Sequence, residues 1–162
     1  MSDDEELVIG PEDPSGPGAL ALLDAHLAFV RSCMPERHVH ALEDSDLRAP
    51  DVLFRGAREG STLLAVGALR DLGEGHFEVK SMHTSEAARR RGLGRAMLEH
   101  LVALAEERGG TRLSLETGTI DAFAPARGLY AAFGFAECEP FGAYWSNPNS
   151  VCMTRTIQAD GS

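Results

Sequence analysis

The chain has 162 residues, of which 43% are hydrophobic and 25% charged, enough for one globular domain with its own core. Its formal net charge of −10 argues against broad binding to nucleic acids or anionic membranes. No apolar stretch approaches the roughly 20 residues that span a bilayer, and the acidic N-terminus lacks the basic segment of a secretory signal. We therefore expect a cytoplasmic protein with no nucleic-acid and no membrane partner.

Residues 1–6 and 159–162 are expected to be flexible ends, and residues 7–158 to form a single domain. The three cysteines show no CxxC or histidine-rich spacing, which predicts reduced thiols and no metal site. These cysteines are Cys33, Cys138 and Cys152.

The N-terminal third predicts a short strand at 7–9, a Pro/Gly-rich loop at 11–18 and then a helix that Pro35 stops. A second short helix is expected at 43–48. The apolar positions that recur at helical spacing in the first helix are Leu20, Leu23, Leu27 and Val30.

A β-meander follows, with strands at 52–58, 62–72 and 76–84 joined by tight turns. The next helix has one apolar face and ends at the glycine pair 109–110. A strand at 113–117, a helix that begins near Pro125 and strands at 135–140 and 151–157 complete the order. The apolar faces of these two helices comprise Leu93, Met97, Leu101, Leu104 and Ala105, then Ala126, Leu129, Tyr130 and Phe133. This order predicts a mixed α/β sheet in one domain.

A basic, glycine-containing turn links the third meander strand to its helix. Small residues let a ligand approach the backbone, and the unpaired amides and dipole of a helix N-terminus favour a phosphate. Arginines add charge and bidentate donors. The segment is Arg89, Arg90, Arg91, Gly92, Leu93, Gly94, Arg95 and Ala96, and it predicts a pyrophosphate site.

Three kinds of phosphate ligand compete for this turn. Arg95-Ala96 stands where a P-loop needs Lys-Ser/Thr, which argues against a nucleoside triphosphate. Met97 occupies the third small position of a dinucleotide fingerprint, and the preceding strands look antiparallel, although Glu116 lies about 20 residues on, as a ribose carboxylate would. A basic turn without any ligand is the remaining alternative.

The whole segment resembles the GCN5-related N-acetyltransferase (GNAT) family, whose signature Arg/Gln-x-x-Gly-x-Gly/Ala is matched by residues 89–94. A second hallmark, Ala126-x-x-Leu129-Tyr130-x-x-x-Gly134-Phe135, follows in the right order, and the likeness spans roughly residues 46–157. The resemblance implies a GNAT-like fold with a central, mostly antiparallel sheet of about six to seven strands and helices on both faces.

The resemblance also implies acetyl transfer from acetyl-CoA to a primary amine, with a base, an oxyanion donor and an acid for the sulfur. Glu78 lies eleven residues before Arg89, the interval of the catalytic glutamate in histone-type members, and is the candidate base. Its alternative role is an ion pair with Lys80 on the same strand face. Glu116 and His83 are further candidates for the base.

Tyr130 occupies the family's Leu-Tyr position and is the candidate general acid, with packing on the sheet as the alternative. The resemblance places Met82, His83 and Thr84 along the pantetheine arm as an added-strand contact, with one amide near Met82 polarising the thioester carbonyl. Phe123 stands where the family often has an Asn that contacts the same arm. The arginine side chains of the turn either remain solvated or reach a phosphate.

Aromatic residues cluster near the C-terminus, where they line an acceptor pocket, cover a core edge or form a dimer contact. They are Phe141, Tyr144 and Trp145. The favoured function is a small-molecule N-acetyltransferase with acetyl-CoA as co-substrate, and a homodimer is possible. The alternatives are acetylation of a protein or peptide lysine or N-terminus, and an acyl-CoA-binding module without turnover.

Overall fold

The computed structural model describes residues 7–33, 47, 49–89, 91–119, 121–139 and 150–157. Within these residues, seven strands and three α-helices follow one another in the order expected for a mixed α/β domain. They are β1 (Leu7–Pro11), α1 (Pro17–Cys33), β2 (Val52–Glu59), β3 (Thr62–Gly73), β4 (His76–Thr84), α2 (Leu93–Glu107), β5 (Arg112–Gly118), α3 (Ala124–Ala132), β6 (Ala136–Cys138) and β7 (Ser150–Thr156). Single 3-10 turns at Glu86–Ala88 and Asp121–Phe123 precede α2 and α3.

The strands form one sheet in the order β1-β2-β3-β4-β5-β7-β6. β4 and β5 are parallel, whereas the other neighbouring strands are antiparallel. A parallel pair requires a crossover connection, and α2 supplies it. The sheet is therefore mixed, and its one parallel pair lies at the centre.

One face of the sheet carries α2 and α3 over the larger hydrophobic core. The apolar residues predicted for α2 are all buried, as are Phe77 and Leu113 from the central strands. Gly67 of β3 permits this close packing, because a Cβ there would lie 2.9 Å from Met97 Cγ. The predicted α2 face is confirmed, since a 15-residue amphipathic helix reveals its buried side clearly.

The opposite face carries α1, which packs Ala19 and Leu22 against Phe54, Val66 and Ala68. Of the predicted apolar face of α1, Val30 is buried and Leu23 packs against this group, whereas Leu20 is 47% exposed. Alanines and leucines lie on several sides of α1, so periodicity alone locates its buried side only approximately.

Three elements differ from the prediction by about two residues at an end, and β2, β3, β5 and β7 differ by one. β1 continues to Pro11, and α1 begins at Pro17, inside the predicted loop. Proline is tolerated in the first helical turn because its missing N–H would have no helical partner there. β6 covers only Ala136–Cys138 of the predicted 135–140 strand.

Several sequence expectations fall wholly or mostly outside the described residues. They concern the helix at 43–48, the aromatic cluster of Phe141, Tyr144 and Trp145, the thiol of Cys33, and the Arg90 side chain. Within the described part, Cys138 and Cys152 are not in a disulfide, no group of residues fits a metal ion, and no helix is long and apolar enough to cross a membrane.

Candidate active site

The two parallel strands at the centre of the sheet separate soon after they meet. Among the described residues their pairing comprises His76 with Arg112, Phe77 with Leu113, and Glu78 with Ser114. Beyond Glu78, β4 keeps its antiparallel partner β3 on its other side. The β4 edge from residue 79 to 84 therefore faces a gap in the sheet, where a ligand can pair with the backbone as an added strand.

A β-bulge lies in this free part of β4. Ser81 has a φ of 56°, and the β3–β4 register shifts between Val66 and Ala68. A left-handed serine is uncommon and stores local strain of about 1–3 kcal/mol. Bulges redirect neighbouring side chains and backbone groups, so this one changes the direction of the strand next to Met82.

The gap opens into a cavity of about 420 Å³ walled by α1, β4, β5, α3 and the 3-10 turn before α3. It brings together seven residues that the sequence singled out, three from β4, one each from β5 and α3, and two from the turns. These are Met82, His83, Thr84, Arg89, Glu116, Phe123 and Tyr130. Glu78 and residues 91–96 do not belong to this wall.

The glycine turn leads into α2 beside this cavity. Gly92 has a φ of 77°, which favours glycine, and no side chain caps the helix. The Ala96 amide donates to the Gly92 carbonyl at 3.0 Å, so the amides of Leu93, Gly94 and Arg95 precede the first helical hydrogen bond. Such amides favour an anion, and the pyrophosphate site at this helix N-terminus stays a prediction.

The described arginines of the turn contact the protein itself. Arg91 forms an ion pair with Glu59 of β2, and the Arg95 guanidinium lies 5.3 Å from the centre of the Phe133 ring. Arg89 lines the cavity, and its Nε donates to the Thr84 carbonyl at 3.4 Å. The backbone amides are therefore the stronger candidates for phosphate contacts.

Glu78 is buried, with only 3% of its surface exposed, and lies outside the cavity wall. Its Oε2 is 3.5 Å from Nζ of Lys80. The predicted ion pair with Lys80 is thus confirmed. The role of Glu78 as a base stays a prediction, and from this position it would act through an intervening water.

The two other candidates for the base, Glu116 and His83, do line the cavity. Burial, reinforced by the positive charge of Arg89, lowers the pKa of His83. A neutral imidazole at neutral pH is able to accept a proton. Among the residues that line the cavity, Glu116 is the one that carries a carboxylate.

Tyr130 lies on α3 where the helix crosses the end of the cavity. Only 9% of its surface is exposed, and its ring packs edge-on against Phe135 with 6.0 Å between the ring centres. Burial raises the pKa of Tyr130 to about 12. The phenol therefore keeps its proton at neutral pH and can donate it to a developing anion.

Phe123 forms the wall between the end of β5 and the start of α3. Its ring lies over Gly118, where an added Cβ would come within 2.2 Å of Cδ2. The ring centre is 5.0 Å from that of Phe29 on α1. Phe123 thus gives the cavity an apolar side at the position where the family often has an asparagine.

Sequence reasoning assigned no individual residue of α1 to the site, yet α1 supplies His26, Phe29 and Val30 to the cavity. His26 contacts His83 edge-on, with ring centres 5.3 Å apart. Burial, with a smaller effect of His83, lowers the pKa of His26 to about 4, and its buried Nδ1 has no hydrogen-bond partner within the described structure. The signal in the sequence that could have indicated this role is a histidine, His26, inside an otherwise apolar stretch of the helix.

Comparison with known proteins agrees with this geometry. The model of the acetyltransferase (GNAT) family matches residues 21–135. The uncharacterized N-acetyltransferase YsnE of Bacillus subtilis is 43% identical over 146 residues, which cover 90% of this chain and 97% of YsnE. These matches cover the cavity and the glycine turn together.

Solved structures give the same result. A Klebsiella pneumoniae protein named as an acyl-CoA N-acyltransferase has a TM-score of 0.79 at 26% identity, with 93% of this chain and 97% of that one covered. The PaiA N-acetyltransferase of Thermoplasma acidophilum, solved with coenzyme A, has a TM-score of 0.72 at 14% identity, with coverage of 94% and 99%. The chain belongs to the acetyltransferase (GNAT) family, and it is an acetyltransferase.

Proposed function

We propose that the protein transfers an acetyl group from acetyl-CoA to the primary amine of a small molecule. The observation that carries this proposal is the meeting of Glu116 and Tyr130 in one cavity at the gap between β4 and β5. A proton acceptor and a proton donor thus face the same space. Its volume of about 420 Å³ favours a small acceptor.

The chain's backbone supplies much of the binding site for acetyl-CoA. The β4 edge beyond Glu78 offers N–H and C=O groups to the pantetheine amides, and the bulge at Ser81 gives the Met82 amide a separate direction. We assign that amide to the thioester oxygen. The N-terminal amides of α2 fit the pyrophosphate, within the segment from Arg89 to Ala96.

A base and an acid complete the reaction. An alkylamine has a pKa near 10, so it arrives protonated and must lose a proton before it attacks. Glu116 takes this proton directly, or Glu78 takes it through water. Tyr130 donates its proton to the departing sulfur.

The test is the release of free thiol from acetyl-CoA in the presence of a panel of small amines, with mass-spectrometric identification of the acetylated product. Turnover with small amines supports the proposal. Turnover with lysine-containing peptides or free protein N-termini alone would favour the protein acetyltransferase. Acetyl-CoA binding without turnover of any acceptor would favour a binding module.

Two substitutions separate the candidate bases. Glu116→Gln and Glu78→Gln each remove one carboxylate while keeping the side-chain shape. We expect Glu116→Gln to lower kcat about a hundredfold, because Glu116 is the one that lines the cavity. A larger loss in Glu78→Gln, with its fold verified by circular dichroism, would instead assign the base to Glu78.

A further inference from the structure

Two residues of opposite charge line the cavity where the central strands separate, one on β4 and one on β5. Glu78 and Ser114 form the last described pair of the β4–β5 ladder. Lys80 and Glu116 stand two residues further along each strand, so side-chain alternation puts them on the same face of the sheet as Glu78 and Ser114. Both residues line the cavity.

Lys80 is an unusual wall residue, because its side chain is only 5% exposed. Lysine is almost never fully buried unless it is paired. Its Nζ lies 3.5 Å from the Glu78 carboxylate, which compensates part of the desolvation cost. Buried ion pairs of this kind are often no more stabilising than apolar residues of the same size, so stability alone does not account for a lysine here.

The other groups in this part of the wall are apolar or uncharged. Phe29 and Val30 of α1 and Phe123 form the apolar side. His26 carries no charge at neutral pH, since burial lowers its pKa to about 4. The charged features are thus Lys80 on one strand and Glu116 on the next, with Arg89 towards the glycine turn.

We propose that the acceptor is a free amino acid, whose carboxylate binds Lys80 while its amino group lies against Glu116. This inference rests on the proposed acetyl transfer and names the substrate class for it. The two charged groups of an amino acid are attached to one carbon, which suits charges on neighbouring strands. The acceptor side chain then lies along Phe29 and Phe123, so apolar and aromatic amino acids fit best.

The assignment keeps the chemistry balanced. The ammonium gives one proton to Glu116, and the free amine forms the new nitrogen–carbon bond while the thioester carbon–sulfur bond breaks. The sulfur leaves with the Tyr130 proton, and the second proton of the nitrogen restores Tyr130 through solvent. The products are an N-acetyl amino acid, free CoA thiol and one proton, which Glu116 releases to water.

The first experiment compares each amino acid with the amine that lacks only its carboxylate. Suitable pairs are phenylalanine with phenethylamine and leucine with isoamylamine. Phenylalanine amide is a further control, in which an uncharged amide replaces the carboxylate. We expect kcat/KM to be at least tenfold higher for the amino acid in each pair. Equal or better use of the amines would overturn this proposal and leave the proposed function intact, whereas no turnover of any acceptor would overturn both.

The second experiment tests Lys80 itself. In Lys80→Met, the ratio of kcat/KM for the amino acid to kcat/KM for its amine should fall from about ten to about one. Lys80→Arg should retain most of this preference, because the positive charge remains. Since Lys80→Met removes the ion pair between Lys80 and the buried Glu78, the double variant Glu78→Gln/Lys80→Met is compared with Glu78→Gln alone. If the preference for the amino acid survives in both Lys80→Met and the double variant, the assignment of the carboxylate to Lys80 is overturned.

Discussion

The phenol of Tyr130 illustrates how burial selects a protonation state. Water solvates a phenolate far better than a protein interior does, so burial raises the pKa of Tyr130 to about 12. The residue is therefore a proton donor throughout the physiological range. This property depends on the position of α3 against the sheet, which no single residue in the motif determines.

Replacement of Tyr130 by phenylalanine tests the acid role. The ring is kept, so its packing against Phe135 and the cavity shape should be preserved. Because only the hydroxyl is lost, we expect kcat to fall about a hundredfold and KM for acetyl-CoA to change little. Steady-state kinetics measure both values, and an unchanged kcat would remove Tyr130 from the mechanism.

At the scale of elements, α2 starts with an uncapped turn beside the cavity. Gly94 sits in the first turn of the helix, where an added Cβ would make an ordinary contact of 3.5 Å with Leu129. A small side chain therefore fits without displacing the backbone, so substitutions here can separate charge from shape.

We expect Gly94→Asp to abolish measurable CoA binding, because it places a negative charge beside the amides assigned to the pyrophosphate. Gly94→Ala is the matched control, which adds the Cβ without the charge and should weaken binding far less. Isothermal titration calorimetry with acetyl-CoA measures both. Equal affinities in the wild type and a folded Gly94→Asp would refute the placement of the pyrophosphate.

The junction of β5 and α3 depends on close packing between Gly118 and Phe123. In Gly118→Ala the new Cβ collides with the ring, so we expect a loss of about 1–3 kcal/mol in the free energy of unfolding and weaker acetyl-CoA binding. Urea unfolding measures the stability. Because leucine is smaller, Gly118→Ala should cost less in a Phe123→Leu background, and a strictly additive double variant would show that the two residues are not coupled.

At the scale of the whole molecule, buried histidines link the fold to pH. His26 has a folded pKa of about 4, below its ordinary value of 6.5. The unfolded chain therefore binds a proton between these pH values while the folded chain does not, and stability is lost as pH falls from about 6.5 to 4. The lowered pKa values of His76, His83 and His100 act in the same direction.

We expect His26→Gln to reduce the loss of unfolding free energy between pH 7 and pH 5 by about 1–2 kcal/mol. Urea denaturation at the two pH values gives this difference. His100→Gln is the control, with a smaller expected change, since the charge of Glu107 opposes the lowering of the His100 pKa by burial and by Arg55. An identical pH dependence in His26→Gln and the wild type would mean that His26 is solvated in solution.

Local patterns were sufficient for most elements and for part of the site. The periodicity of α2 and the alternation of the meander strands depend on neighbouring residues, so these elements were predicted with small errors at their ends. The glycine turn and the Tyr130 motif were likewise visible as short segments. By contrast, the buried side of α1 was predicted only in part, because its composition offers more than one apolar face: Val30 and Leu23 pack inward, whereas Leu20 is exposed.

The sequence by itself determined the order of the elements, the anion-binding turn and the resemblance that named acetyl-CoA as its ligand. The tertiary structure alone decided that Glu78 is buried with Lys80, that Glu116 reaches the cavity, and that α1 contributes His26 and Phe29. The reason is physical, since these relations depend on strand register and on where β4 and β5 separate. Such distances between remote segments are set by the packing of the whole sheet.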